Sequence, residues 1–71
     1  MNLIIDIGNT SVKAALVSEG VIISQERFDS ADPEMLGMFT GRRRLSGAIV
    51  SSVSGDQSEL FDWLRTRAGR V

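Results

Sequence analysis

From Asn2 to Ile7 the chain reads NLIIDI, apolar at nearly every position and interrupted by one carboxylate, Asp6. A near-continuous apolar run of this length predicts a strand covered on both faces, hence central in its sheet, and places Asp6 where a charge is costly. After the corner Gly8-Asn9-Thr10-Ser11, small apolar residues return over Val12 to Ser18. Glu19-Gly20 then marks a turn before a third β-favouring run, Val21 to Phe28. Three strands joined by short corners read as an antiparallel meander.

The pattern then changes period. Asp32-Pro33-Glu34 has the grammar of a helix start, with Asp32 able to cap, Pro33 suited to the first helical position and Glu34 suited to the positive end of the dipole. Gly37 and Gly41 keep this helix short, and Met35 and Met38 are expected to fill gaps beneath it. Past the polar break GRRRLSG, the compact run AIVSSV from Ala48 to Val53 predicts a fourth strand. Ser54 and Gln57 have capping-box spacing, and Leu60, Phe61, Trp63 and Leu64 place an apolar stripe on a helix from about Asp56 to Ala68. Gly69 reads as its C-cap, Arg65 and Arg67 suit its negative end, and Val71 resembles the start of a fifth strand. A helical crossover lets the fourth strand lie parallel to the first and beside it.

Composition narrows the chemistry. A chain of 71 residues makes one domain at most, and at that size only about 60% of the unfolded surface is buried, so the core is marginal. It contains neither cysteine nor histidine, which removes disulfides and the usual structural-metal ligands; tyrosine is also absent. What remains is carboxylate, hydroxyl, amide and cation chemistry, suited to phosphoryl transfer, where positioning and charge stabilisation do most of the catalysis. A net charge of −1 with dispersed charges argues against a nucleic-acid partner. The N-terminal apolar run is too short for a signal segment or a membrane span, and the cytoplasm is the expected compartment.

The stretch IIDIGNTSVK supports two readings. As structure, Gly-Asn is an ordinary hairpin corner. As chemistry, Gly8 allows close backbone approach and tolerates positive φ, turn amides can form an anion nest, and Asn9, Thr10 and Ser11 supply neutral donors. Asp6 would repel phosphate directly and is suited to act through Mg²⁺ or its bound water, while Lys13 could reach a phosphate as a mobile point charge. The buried position expected for Asp6 is what a plain turn explains least well.

MNLIIDIGNTSVKAAL resembles the N-terminus of type III pantothenate kinases, members of the acetate kinase, sugar kinase, heat-shock chaperone and actin superfamily, whose first phosphate motif is D-x-G-N-S/T. AIVSSV is similar to the fourth-strand segment of that family. The resemblance spans the chain and implies an α/β, ribonuclease H-like half-domain with sheet order 3-2-1-4, cut before its fifth strand. It implies ATP-dependent phosphorylation of pantothenate, the first step of coenzyme A synthesis, with a divalent ion, a monovalent cation such as K⁺ or NH₄⁺, and a homodimeric complete enzyme. Asp6, Gly8, Asn9 and Thr10 match the motif, and Asp6, Ile7, Gly8, Asn9, Thr10, Ser11, Val12 and Lys13 correspond to the ATP-binding segment. The family's catalytic aspartate, cation aspartate and pantothenate pocket correspond to sequence beyond Val71, so no catalytic residue is expected here. Alternatives are another kinase of the superfamily, or a non-catalytic remnant or interaction module.

Other features carry less. Arg42, Arg43 and Arg44 read as a solvated loop. Ser51 and Ser52 either close a strand or offer hydroxyls at a crevice beside the first strand. Trp63 and Phe61 read as helix packing, and Asp56, Glu59 and Asp62 as dipole and solubility residues.

Overall fold

A computed structural model describes residues 1–9, 11–30, 32–41, 43–52 and 57–69. Strands β1 (Asn2–Ile7), β2 (Val12–Ser18) and β3 (Val21–Phe28) are followed by helix α1 (Pro33–Thr40), strand β4 (Gly47–Ser52) and helix α2 (Ser58–Arg67). The four strands form one open mixed sheet in the order β3-β2-β1-β4, antiparallel across β1–β2 and β2–β3 and parallel across β1–β4. This α/β architecture and strand order are those expected from the sequence.

One expectation about β1 fails. It is central by hydrogen bonding but covered on one face only: Leu3, Ile5 and Ile7 are buried, whereas Asn2, Ile4 and Asp6 alternate onto an exposed face. The covered face of β2 adds Val12, Ala14 and Leu16, and Leu36, Leu60 and Leu64 close the core from the two helices. Strand period two and helix stripes therefore meet in a single layer of side chains.

Local chemistry sets the element ends. The β2–β3 corner places Glu19 at φ 52° and Gly20 at φ 78°, the paired positive values of a two-residue hairpin turn that matches sheet twist. A register shift between Leu16 and Val17 moves the pairing from Ser24 to Ile22, so β3 carries one extra residue there. At α1, Asp32 accepts from the Glu34 backbone N–H at 3.0 Å, the predicted cap, and the Gly41 N–H donates to the Gly37 carbonyl at 2.9 Å. Thr40, fully buried, donates its hydroxyl to the Gly37 carbonyl at 3.2 Å.

Several helix expectations need correction. Met35 and Met38 are exposed rather than packed beneath α1, because Leu36 and Thr40 occupy the inward positions and the methionines fall on the flanks of that narrow stripe. Helix α2 starts at Ser58 with Gln57 at the N-cap position and no side-chain capping bond; Ser54, Val53 and Asp56 lie outside the described residues. At its other end Ala68, not Gly69, is the C-cap, with an extended backbone that pairs in parallel with Leu45. The Gly69 N–H donates to the Leu45 carbonyl at 3.4 Å, while the adjacent Ser46 N–H donates to the Met1 carbonyl on the β1 side at 2.7 Å. Successive residues of a strand point their backbone groups to opposite edges, so Ala68 and Gly69 run along the edge of β4 that faces away from β1. Ala68 thus makes one isolated parallel bridge there; Val71, read as the start of a fifth strand, lies outside the described residues.

The helices are tied to each other at one seam. Arg67 donates to the Gly41 carbonyl at 2.8 Å and lies 5.6 Å from the Trp63 ring centre, and Trp63 faces Gly37 of α1. Phe28 and Phe39 meet edge to face at 5.9 Å, joining the end of β3 to α1. Among the described residues no helix is long and apolar enough to cross a membrane.

Three stability outcomes follow from this packing. Leu36→Ala is expected to cost about 2–5 kcal/mol, whereas Met38→Ala, exposed, should change stability by no more than about 0.5 kcal/mol in urea unfolding. A methyl group built on Gly37 would sit 3.8 Å from Trp63 Cζ2, an ordinary contact distance. Gly37→Ala should therefore stabilise the chain by about 0.5–1 kcal/mol, read by the same titration.

Candidate functional site

The candidate stretch begins where β1 ends. Ile7 pairs with Val12 as the last rung of the β1–β2 ladder, both side chains buried, and the Gly8 N–H donates to the Ser11 carbonyl at 2.9 Å. Asn9 is exposed at the corner, and Thr10 lies outside the described residues. Gly8 does not use a positive φ. Its need for hydrogen in place of a side chain is spatial, since a methyl there would come within 3.3 Å of the Ser11 carbonyl oxygen. The Gly8 amide is also committed to the hairpin, which takes one donor away from the expected anion nest.

Asp6 is exposed, not buried, which overturns the premise that its placement is expensive. The cause is the alternation of β1, which sends its odd-numbered residues into the core and its even-numbered ones out. Lys13 stands directly across from Asp6 on β2, Ser51 is its register partner on β4, and Arg27 stands across from Lys13 on β3. One row on the open face thus reads Arg27, Lys13, Asp6, Ser51, each from a different strand and each exposed. Direct cross-strand partners have Cβ atoms about 4.5–5.5 Å apart, close enough for long side chains to share a ligand. Among the described residues the one side-chain ion pair within reach is Asp62–Arg65 at 3.1 Å on α2, so none joins members of this row.

Two concavities divide the predicted stretch. One of about 490 Å³ lies over the open sheet face, floored by Ile4, Ala14 and Ala15 and edged by Asp6, Lys13, Gln25, Glu26 and Arg27. Another of about 290 Å³ lies at the hairpin end, where Gly8, Asn9 and Ser11 face Asp29, Ser30 and Gln57. Ile7 and Val12 line this second space but owe their position to the core. The structure therefore brings Asp6 and Lys13 together, brings Gly8, Asn9 and Ser11 together, and assigns the two groups to separate hollows.

Arg27, Gln25, Asp29 and Ser30 were not singled out in the sequence, and Gln57 was read there only as part of a capping box. Gln25 and Arg27 alternate on β3, a visible signal, but knowing that they face Lys13 requires a register that the bulge alters. Asp29 and Ser30 look like bend residues and carry no motif.

The donor set can be compared with what Mg²⁺ and a polyphosphate need. No group of three acidic residues gathers among the described residues, so a cage made of protein ligands is not formed. Mg²⁺ bound with phosphates keeps several waters and uses one or two carboxylates, and an exposed Asp6 beside a cation fits that requirement. No protein-family model matches the chain, and no curated protein matches it.

The exposure of Asp6 sets the sign of its substitution. A buried charge would make Asp6→Asn stabilising; facing Lys13 in solvent, it should instead lose about 0.2–1 kcal/mol, with the loss fading at high salt. Urea unfolding at low and high ionic strength measures both.

Proposed function

We propose that the chain is the N-terminal phosphate-binding part of an ATP-dependent kinase of the pantothenate kinase type, transferring phosphate to the hydroxyl of pantothenate at the entry to coenzyme A synthesis. The observation that carries the proposal is the position of Asp6, the first residue of the sequence D-x-G-N-T, near the carboxyl end of β1, beside parallel β4 and across from Lys13. In open α/β sheets the crevice outside the carboxyl ends of parallel strands is where ligands bind. The strand order is also the one the family resemblance implies.

In this reading Asp6 holds the water shell of the divalent ion, and Asn9, Thr10 and Lys13 donate to phosphate oxygens. Ser11 and the backbone around Gly8 shape the approach. Mg²⁺ would supply charge neutralisation at the phosphates as the transferred group departs. The base for the pantothenate hydroxyl, the monovalent-cation site and the contacts of a homodimer are assigned to no residue of this chain. The place of work is the cytoplasm.

A second reading, a non-catalytic scaffold, draws on the Gly8–Ser11 hydrogen bond, because a hairpin that satisfies its own amide needs no ligand. Backbone amide shifts during a Mg²⁺-ATP titration separate the two. Kinase ancestry predicts saturable shifts at Gly8, Asn9, Ser11 and Lys13 that require Mg²⁺ and disappear in Asp6→Asn, whereas the scaffold predicts unchanged amides at millimolar nucleotide.

A further inference from the structure

We infer that Arg27 is a second phosphate ligand, acting with Lys13 as a two-cation clamp on the open sheet face. The inference deepens the phosphate-binding reading above and rests on it. Lys13 and Arg27 are direct cross-strand partners on β2 and β3, both exposed and both lining the 490 Å³ concavity. Like charges placed directly opposite each other weaken a sheet pair. Evolution of a stable meander alone would favour an acidic or neutral residue at one of the two positions.

Asp6, directly across from Lys13, offsets part of that cation's charge, but among the described residues no carboxylate pairs with Arg27. Asp6 lies on the far side of Lys13, two strand spacings from Arg27, a separation of roughly 9–10 Å. Neither cation makes an ion pair with a described residue. The flanking row is Gln25, Ala15, Ile4 and Ile49, which brings no charge. Glu26, the acidic neighbour of Arg27 in sequence, also borders the concavity, but it is opposite Ala14 in the row whose β1 and β2 members face the core and makes no ion pair with either cation.

An oxyanion between the two cations resolves the repulsion. The ammonium of Lys13 offers a mobile point charge, and the planar guanidinium of Arg27 offers parallel N–H donors that match two phosphate oxygens. A carboxylate at Asp6, one strand away, would complement the divalent ion accompanying a polyphosphate rather than the phosphate itself. The row therefore orders its chemistry across the sheet: metal side at Asp6, shared phosphate at Lys13, terminal anchor at Arg27.

The test uses the 71-residue chain with Mg²⁺-ATP and with inorganic pyrophosphate as probes, binding measured by calorimetry and stability by thermal unfolding at low salt. Arg27→Gln should weaken both probes by about tenfold, the loss of one charged hydrogen-bonding partner, while the ligand-free protein melts at the same or a higher temperature. Arg27→Lys should recover part of the affinity, since it keeps the charge and loses the fork. A merely structural arginine would instead lower the unliganded melting temperature. If Arg27→Gln binds both probes within twofold of the parent while Asp6→Asn loses Mg²⁺-ATP, the clamp is wrong and the phosphate-binding reading stands. Failure of the parent chain to bind either probe overturns both.

Discussion

The central constraint is that β1 is hydrogen-bonded along both edges yet buried on one face. Leu3, Ile5 and Ile7 each enter the core, and full burial of a large aliphatic side chain is worth about 1.5–3 kcal/mol. The cross-strand attraction between Asp6 and Lys13 is worth a fraction of one such burial. Packing therefore decides the register, and the carboxylate goes where the alternation sends it. A slip by one residue would bury Asp6 and expose three aliphatic side chains, which makes the solvent-facing position of the motif carboxylate a by-product of the core.

That geometry links the fold to the chemistry proposed for it. The hairpin that follows β1 is closed by the Gly8–Ser11 hydrogen bond and by the buried Ile7–Val12 rung, so the corner is held from below by packing and from within by its own backbone. Polar groups then project on two sides of a stiff support: charged side chains over the sheet face, small neutral ones at its end. A polyphosphate long enough to touch both would be gripped by side chains at one end and by turn groups at the other.

Strand limits were legible because this chain separates its apolar runs with unambiguous corners. The limits of β1, β2 and β3 coincide with those read from Asn2–Ile7, Val12–Ser18 and Val21–Phe28, and the Asp32 cap is where Asp-Pro-Glu placed it. Facing was less legible. Ile4 makes β1 read as doubly covered, but both helices contribute to one core, and Ile4 on β1 and Ile49 on β4 stay exposed at 39% and 64%. The same deficit of covering surface explains Met35 and Met38, since an eight-residue helix presents only Leu36 and Thr40 fully inward. Within the site, the Asp6–Lys13 pairing follows from the hairpin length alone. The Lys13–Arg27 pairing does not, because it depends on a one-residue bulge that leaves no composition signal in Val21–Phe28.

Trp63 gives the helix seam a property of a different kind. It is the sole tryptophan of a chain without tyrosine, and it sits against Gly37 of one helix and under Arg67 of its own. Its excited state is therefore the molecule's one dominant near-ultraviolet emitter, placed where α1 and α2 touch. Emission wavelength and quenching by a soluble acceptor would follow the docking of the two helices directly, an optical gauge that the fold carries without any added label.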